Sequence, residues 1–150
     1  PNLSTPLTHP PMYLRQTQEL THTAALIVLQ GAITKAKTMN VPQFIAIVDS
    51  AGNLLAFIRM DGAKVLSQLS ATQKAVTAAS SRVATGGVPA DVETKLAFAT
   101  GGQLTNLKGG LPIVMDGQVV GAIGVGSGTG DQDVEVAQAG IEALQAASGL

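Results

Sequence analysis

The chain has 150 residues, a formal charge of −1, no cysteine, no tryptophan and a single tyrosine, Tyr13. One domain's length is implied; nucleic-acid binding is excluded by the missing basic surplus and stacking rings, and disulfides, thiolate metal sites and cysteine nucleophiles by the missing thiols. Charged residues are only 13%, about half the usual share, so polar groups are too few to cover a small domain, and a homo-oligomer with a large buried interface is expected.

Residues 1–16 read as a proline-rich arm, since Pro1, Pro6, Pro10 and Pro11 exclude a helix over its first part. A single domain then occupies 17–150. No cationic stretch leads into an apolar run, and no run is long enough to cross a bilayer. The expectation is a cytoplasmic protein, or an exported one whose leader has been removed, with no membrane partner. The first helix is predicted over Thr17 to Met39. Leu20, Ala24, Ile27, Val28, Gly31, Ala32 and Ala36 fall at the three–four spacing of one apolar stripe. Asn40 suits the C-cap, and Val41-Pro42 ends the element.

Gln43 to Asp49 and Leu54 to Met60 read as a hairpin around Ser50-Ala51-Gly52-Asn53. An alanine-rich helix follows from about Val65 to Val83, then a break at Thr85–Pro89 and a short helix at Ala90–Ala99. Gln103 to Leu107 is predicted as a short strand. Leu111 to Met115 and Gln118 to Val125 form a second hairpin, because Asp116-Gly117 supplies the two positive φ angles of a type I′ turn. Gly121 and Gly124 within it signal close packing or a bend. The glycine-rich stretch Gly126–Gly130 breaks the strand. The last helix starts at Asp131 or Asp133, where acidic side chains favour a helix N-terminus, and reaches about Ala147. This order gives an α+β fold: a mainly antiparallel sheet of five strands covered by helices.

Several blocks together are similar to one family. They are Ile47-Val48-Asp49-Ser50-Ala51-Gly52-Asn53-Leu54, Arg59-Met60-Asp61-Gly62-Ala63, Lys74-Ala75-Val76-Thr77-Ala78, Gly109-Gly110-Leu111-Pro112-Ile113, and Gly121-Ala122-Ile123-Gly124-Val125 with Thr129-Gly130-Asp131-Gln132-Asp133. In this order, over about residues 17–147, they resemble the GlcG/HbpS-like family, the haem-degrading or DUF336 domain that also forms the C-terminal part of PduO-type proteins. The resemblance implies a profilin-like α-β-α layered fold and assembly into dimers, tetramers or octamers. It also implies a small-molecule ligand, haem or a related tetrapyrrole. The family loop reads closer to Gly-Val-Ser-Gly-Gly-Thr, whereas here Gly124 to Thr129 displaces the glycine and serine.

Few side chains carry chemistry. His22 borders the apolar stripe of the first helix and suits an axial haem ligand or a general base; a boundary histidine bonded to a neighbour is the structural alternative. His9 lies in the arm. Lys108 stands on a glycine turn with Gly109 and Gly110, where it suits a carboxylate or a haem propionate. Arg59, on a strand amid apolar residues, needs a partner such as Asp61 or Asp49, and is the other cation suited to a propionate. Lys74 reads in the same way. Metal binding by side chains alone is not expected, because no helical His/Glu pairing exists. Gly124–Gly130 lacks the Rossmann, Walker and nucleophile-elbow spacings, but offers a helix N-terminus for an anion. Two functions are carried forward. One is a small-molecule binding protein with haem on His22 and Arg59 or Lys108 on the propionates. The other is a cofactor-free isomerase, hydratase or lyase acting on a small carboxylate, with His22 as base and Lys108, Gly109 and Gly110 holding the anion. Both place His22 across the sheet from Lys108.

Overall fold

Every residue of Phe44–Asp49 is buried, and strand side chains alternate between faces, so this strand must be covered on both sides. The computed structural model describes residues 12–149 and shows how. Its elements are α1 (His22–Met39), β1 (Phe44–Asp49), β2 (Leu54–Arg59), α2 (Ser67–Ser81), α3 (Ala90–Ala99), β3 (Gly110–Met115), β4 (Gln118–Gly126) and α4 (Gly130–Ala147). The sheet order is β2-β1-β4-β3, antiparallel throughout. Ile45 and Ile47 of β1 point with Ile123 and Val125 of β4 towards α1 and α4, where Val28, Val136, Ile141 and Leu144 complete one core. Phe44, Ala46, Val48 and Ala122 point the other way, onto Ala71, Ala75 and Ala78 of α2.

The second core is thin because its residues are small. A Cβ at Gly124 would strike the carbonyl oxygen of Ala71 and the backbone and side chain of Ala75, so the glycine lets α2 lie directly on β4. On the other face Gly31 and Gly140 bring α1 and α4 together, against Ala143 and Val28 respectively. No helix among the described residues is long and apolar enough to cross a membrane.

The α+β expectation holds, with one strand fewer: the sheet has four strands, not five. Gln103–Leu107 is not a strand because its backbone groups are taken by side chains. Thr77 Oγ1 donates to the carbonyl of Gln103 and accepts the N–H of Thr105, while Thr100 Oγ1 accepts the N–H of Leu104. The first helix also starts later than its periodicity predicts, at His22 rather than Thr17. Thr21 caps it by accepting the N–H of Ala24, and the N–H of Leu20 instead donates to Val120 at the start of β4. Leu20 is buried ahead of the helix, outside any helix or strand, at a position that merely coincides with the helical spacing. Asn40 is the left-handed C-cap expected. Asp116 and Gly117 both carry positive φ, 51° and 75°, as a type I′ turn requires. Most of the arm, residues 1–16, and with it His9, lies outside the described residues.

Candidate functional site

Three of the motif blocks, those of Lys74, of Gly109 and of Gly121 to Asp133, meet where β4 gives way to α4. Thr129 caps α4 with a capping box: its hydroxyl accepts the N–H of Gln132, whose side-chain oxygen accepts the N–H of Thr129. Asp133, one residue further, turns inward. Its Oδ1 accepts the N–H of Gly128 at 3.0 Å, and its Oδ2 accepts from Lys74 Nζ at 2.8 Å. Lys74 also donates to the carbonyl of Val125 at 2.8 Å. The two charged side chains are only 6% and 1% exposed. Gly109 closes one side, since a Cβ there would come within 3.0 Å of Lys74 Nζ and 2.6 Å of the Val125 oxygen. This contact explains the glycine better than a ligand does.

Burial pushes the Asp133 carboxyl above its ordinary value, because desolvation outweighs what opposes it. The opposing influences are the hydrogen bond and charge of Lys74, the N–H of Gly128 and the nearby amide of Gln43. Gln43 is fully buried, and neither side-chain atom reaches hydrogen-bonding geometry. Its amide nitrogen would lie 2.8 Å from a Cβ at Gly128. The ion pair forms the floor of a cleft of about 250 Å³, walled by Lys64, Ser67, Ser70, Lys108, Ser127 and Gly130. Lys108 crosses its rim with its stem over Gly130, and pairs with Asp131 at 3.4 Å. Both groups are well exposed, so water screens that pair.

The residues singled out from the sequence fall into three separate places. Lys108 is at this cleft. Gly109 and Gly110 lie behind it, both buried, with the N–H of Gly110 donated to Thr85 Oγ1. Arg59 ends β2 and lines a groove of about 510 Å³ against the last turns of α1, with Asp61 in the same groove. Asp49 is not its partner: it ends the neighbouring strand β1 at the opposite, turn end of the hairpin, holding the N–H groups of Ala51 and Asn53. His22 opens α1 as an exposed residue beside the start of β4. From Val120 to Gly126 that strand spans about 20 Å, so within one chain His22 and Lys108 stand at opposite ends of the sheet and do not face each other. The His22 end carries another cleft, about 550 Å³, lined by Arg15 and Arg82, two cations that no motif had marked.

These blocks also fix the chain's relationships. A family model described as haem degrading protein, HbpS-like, matches residues 20–142. The chain belongs to the HbpS-like family. It is 37% identical over 134 residues to the uncharacterized 15.0 kDa protein of the dhaT–dhaS intergenic region of Citrobacter freundii, spanning 85% of this chain and 94% of that protein. Among solved structures it is similar to the DUF336 protein ORFY of Klebsiella pneumoniae, with a TM-score of 0.81, 30% identity, and coverage of 89% of this chain and 95% of that one. It is also similar to PduOC in a complex with heme, with a TM-score of 0.77, 28% identity, and coverage of 83% and 94%.

The HbpS-like blocks were legible, but their meeting point was not. Asp133 read as a helix-capping residue, and its pairing with Lys74, 59 positions away on the other side of the sheet, has no local signature. The available signal was a charge amid alanines: Lys74 lies on the helical stripe of Ala71, Ala75 and Ala78, where a buried ammonium demands an acid.

Proposed function

We propose that the protein binds a tetrapyrrole, haem in the first instance, with His22 as the axial ligand, and does so as a homo-oligomer. The observation that carries this reading is the placement of His22. Its imidazole is exposed at the first position of α1, and Leu26, one turn along the same helix, is 55% exposed. A ligand and an apolar strip for a macrocycle face are thus presented together, in a family that includes a protein solved with heme. Arg15 and Arg82 at this end suit the propionates. Arg59 and Lys108 stand at the opposite end of the sheet, and would reach a haem on His22 only from a second subunit. The same separation removes the geometry for proton transfer between a His22 base and a Lys108 anion site within one chain.

Self-association is supported by what the fold leaves uncovered. Val65, Leu66 and Leu69 near the start of α2 are 63%, 78% and 61% exposed, and Phe57 of the edge strand β2 is 47% exposed. Titration of the full chain with haemin tests the ligand. A Soret band should develop and saturate at a fixed ratio of haem to subunit, and His22→Ala should weaken binding at least tenfold, about 1.4 kcal/mol or more. An unchanged spectrum and affinity in that variant would sink the assignment of His22.

A further inference from the structure

The cleft over Lys74 and Asp133 plays no part in the tetrapyrrole reading. We infer that it is a binding site for a small, singly charged carboxylate, held by Lys64, Lys108, the Ser127 hydroxyl and the third N–H of Lys74. Size is the first argument. At about 250 Å³ the cleft lies below the roughly 300–1,000 Å³ typical of drug-sized ligands, and far below a macrocycle with its side chains.

Charge is the second argument. Three ammonium groups, Lys64, Lys74 and Lys108, meet two carboxylates, Asp131 and Asp133, leaving one positive charge to be matched. The third is the bias towards donors. Lys74 spends two of its three hydrogens, on Val125 and Asp133, while almost wholly buried at the cleft floor. Ser127 Oγ accepts the backbone N–H of Lys64 at 2.9 Å, and among the described residues its own hydrogen has no acceptor. The first turn of α4, beginning at Gly130 on the wall, adds N–H groups that the capping box leaves unsatisfied. Behind the wall the Gln43 amide, buried without a hydrogen bond, keeps polar character at Gly128. A site built of unspent donors around one net positive charge is complementary to a carboxylate.

The test is an NMR titration of the full, ¹⁵N-labelled chain with sodium acetate at constant ionic strength, with sodium phosphate as a parallel arm. Acetate should give saturable shifts confined to the amides of Lys64, Ser67, Ser127, Gly128 and Gly130. Lys64 and Lys108 are exposed, so Lys64→Ala and Lys108→Ala fold; each should weaken acetate binding about three- to tenfold, as loss of one charge-assisted contact implies. Lys35→Ala, which removes a lysine paired with Glu135 outside the cleft, should change nothing. Shifts that never saturate, or that persist in the Lys64→Ala/Lys108→Ala double variant, would overturn the site. Saturation by phosphate with no response to acetate would overturn its assignment to carboxylates. None of these readings depends on haem or on His22, so the two proposals fail separately.

Discussion

Lys74 and Asp133 show what one buried ion pair does to its surroundings. Each charge lost its water on folding, and what each now has is the other, a backbone carbonyl and a backbone N–H. Removing one member strands the other, so Lys74→Met should cost about 3–5 kcal/mol in urea unfolding, whereas Lys74→Met with Asp133→Leu should recover most of that loss. A double variant as unstable as the single would show that the pair is a net stabiliser rather than a matched constraint. The pair also has a pH signature. Because burial raises the folded pKa of Asp133 above its ordinary 3.8, the native state binds more protons than the unfolded chain between that value and the raised one. Its contribution to stability is therefore full below 3.8 and is lost as pH rises through the folded value. Asp133→Asn deletes that loss. The difference in unfolding free energy, wild type minus variant, should thus fall with rising pH across this window, and a rising difference would contradict the direction of the shift.

At the level of elements, the sequence foretold those whose signals are local and missed those settled by distant partners. The Asp116-Gly117 turn and the Asn40 cap were legible because left-handed backbone demands particular residues there. The start of α1 was not, since Leu20 satisfies a helical spacing and a strand-like contact equally well, and the bond to Val120 decides between them. Nor was the loop 103–107, whose fate rests on Thr77, a residue on another helix. The same division runs through the site. His22, Lys108 and Arg59 could be picked out by residue type, yet their distribution over both ends of the sheet follows only from strand order. α2 supplies the prediction at this scale. Its flank at Leu66 and Leu69 is apolar and uncovered, so Leu66→Glu with Leu69→Glu should shift the molecular mass in light scattering towards the monomer at micromolar concentration. An unaltered assembly would move the interface elsewhere.

For the molecule as a whole, the scarcity of charge and the thin alanine–glycine core point the same way. α2 packs so closely on β4 that little apolar area is enclosed per residue, and large side chains such as Leu54, Phe57 and Leu69 remain outside. Stability is therefore distributed unevenly. The sheet with α1, α2 and α4 forms the cooperative body, and α3 is attached to its margin. None of the residues of α3 is buried, Phe98 is 88% exposed, and the Glu93 carboxylate holds the Asn106 amide that also bonds Val88. Backbone amides of α3 should exchange with deuterium much sooner than those of β4. A practical freedom follows: the Gly101-Gly102 bend just beyond α3 is a place where a foreign peptide, a fluorophore tag or a binding epitope can be grafted into the chain while the melting temperature and the haem titration keep their unmodified values.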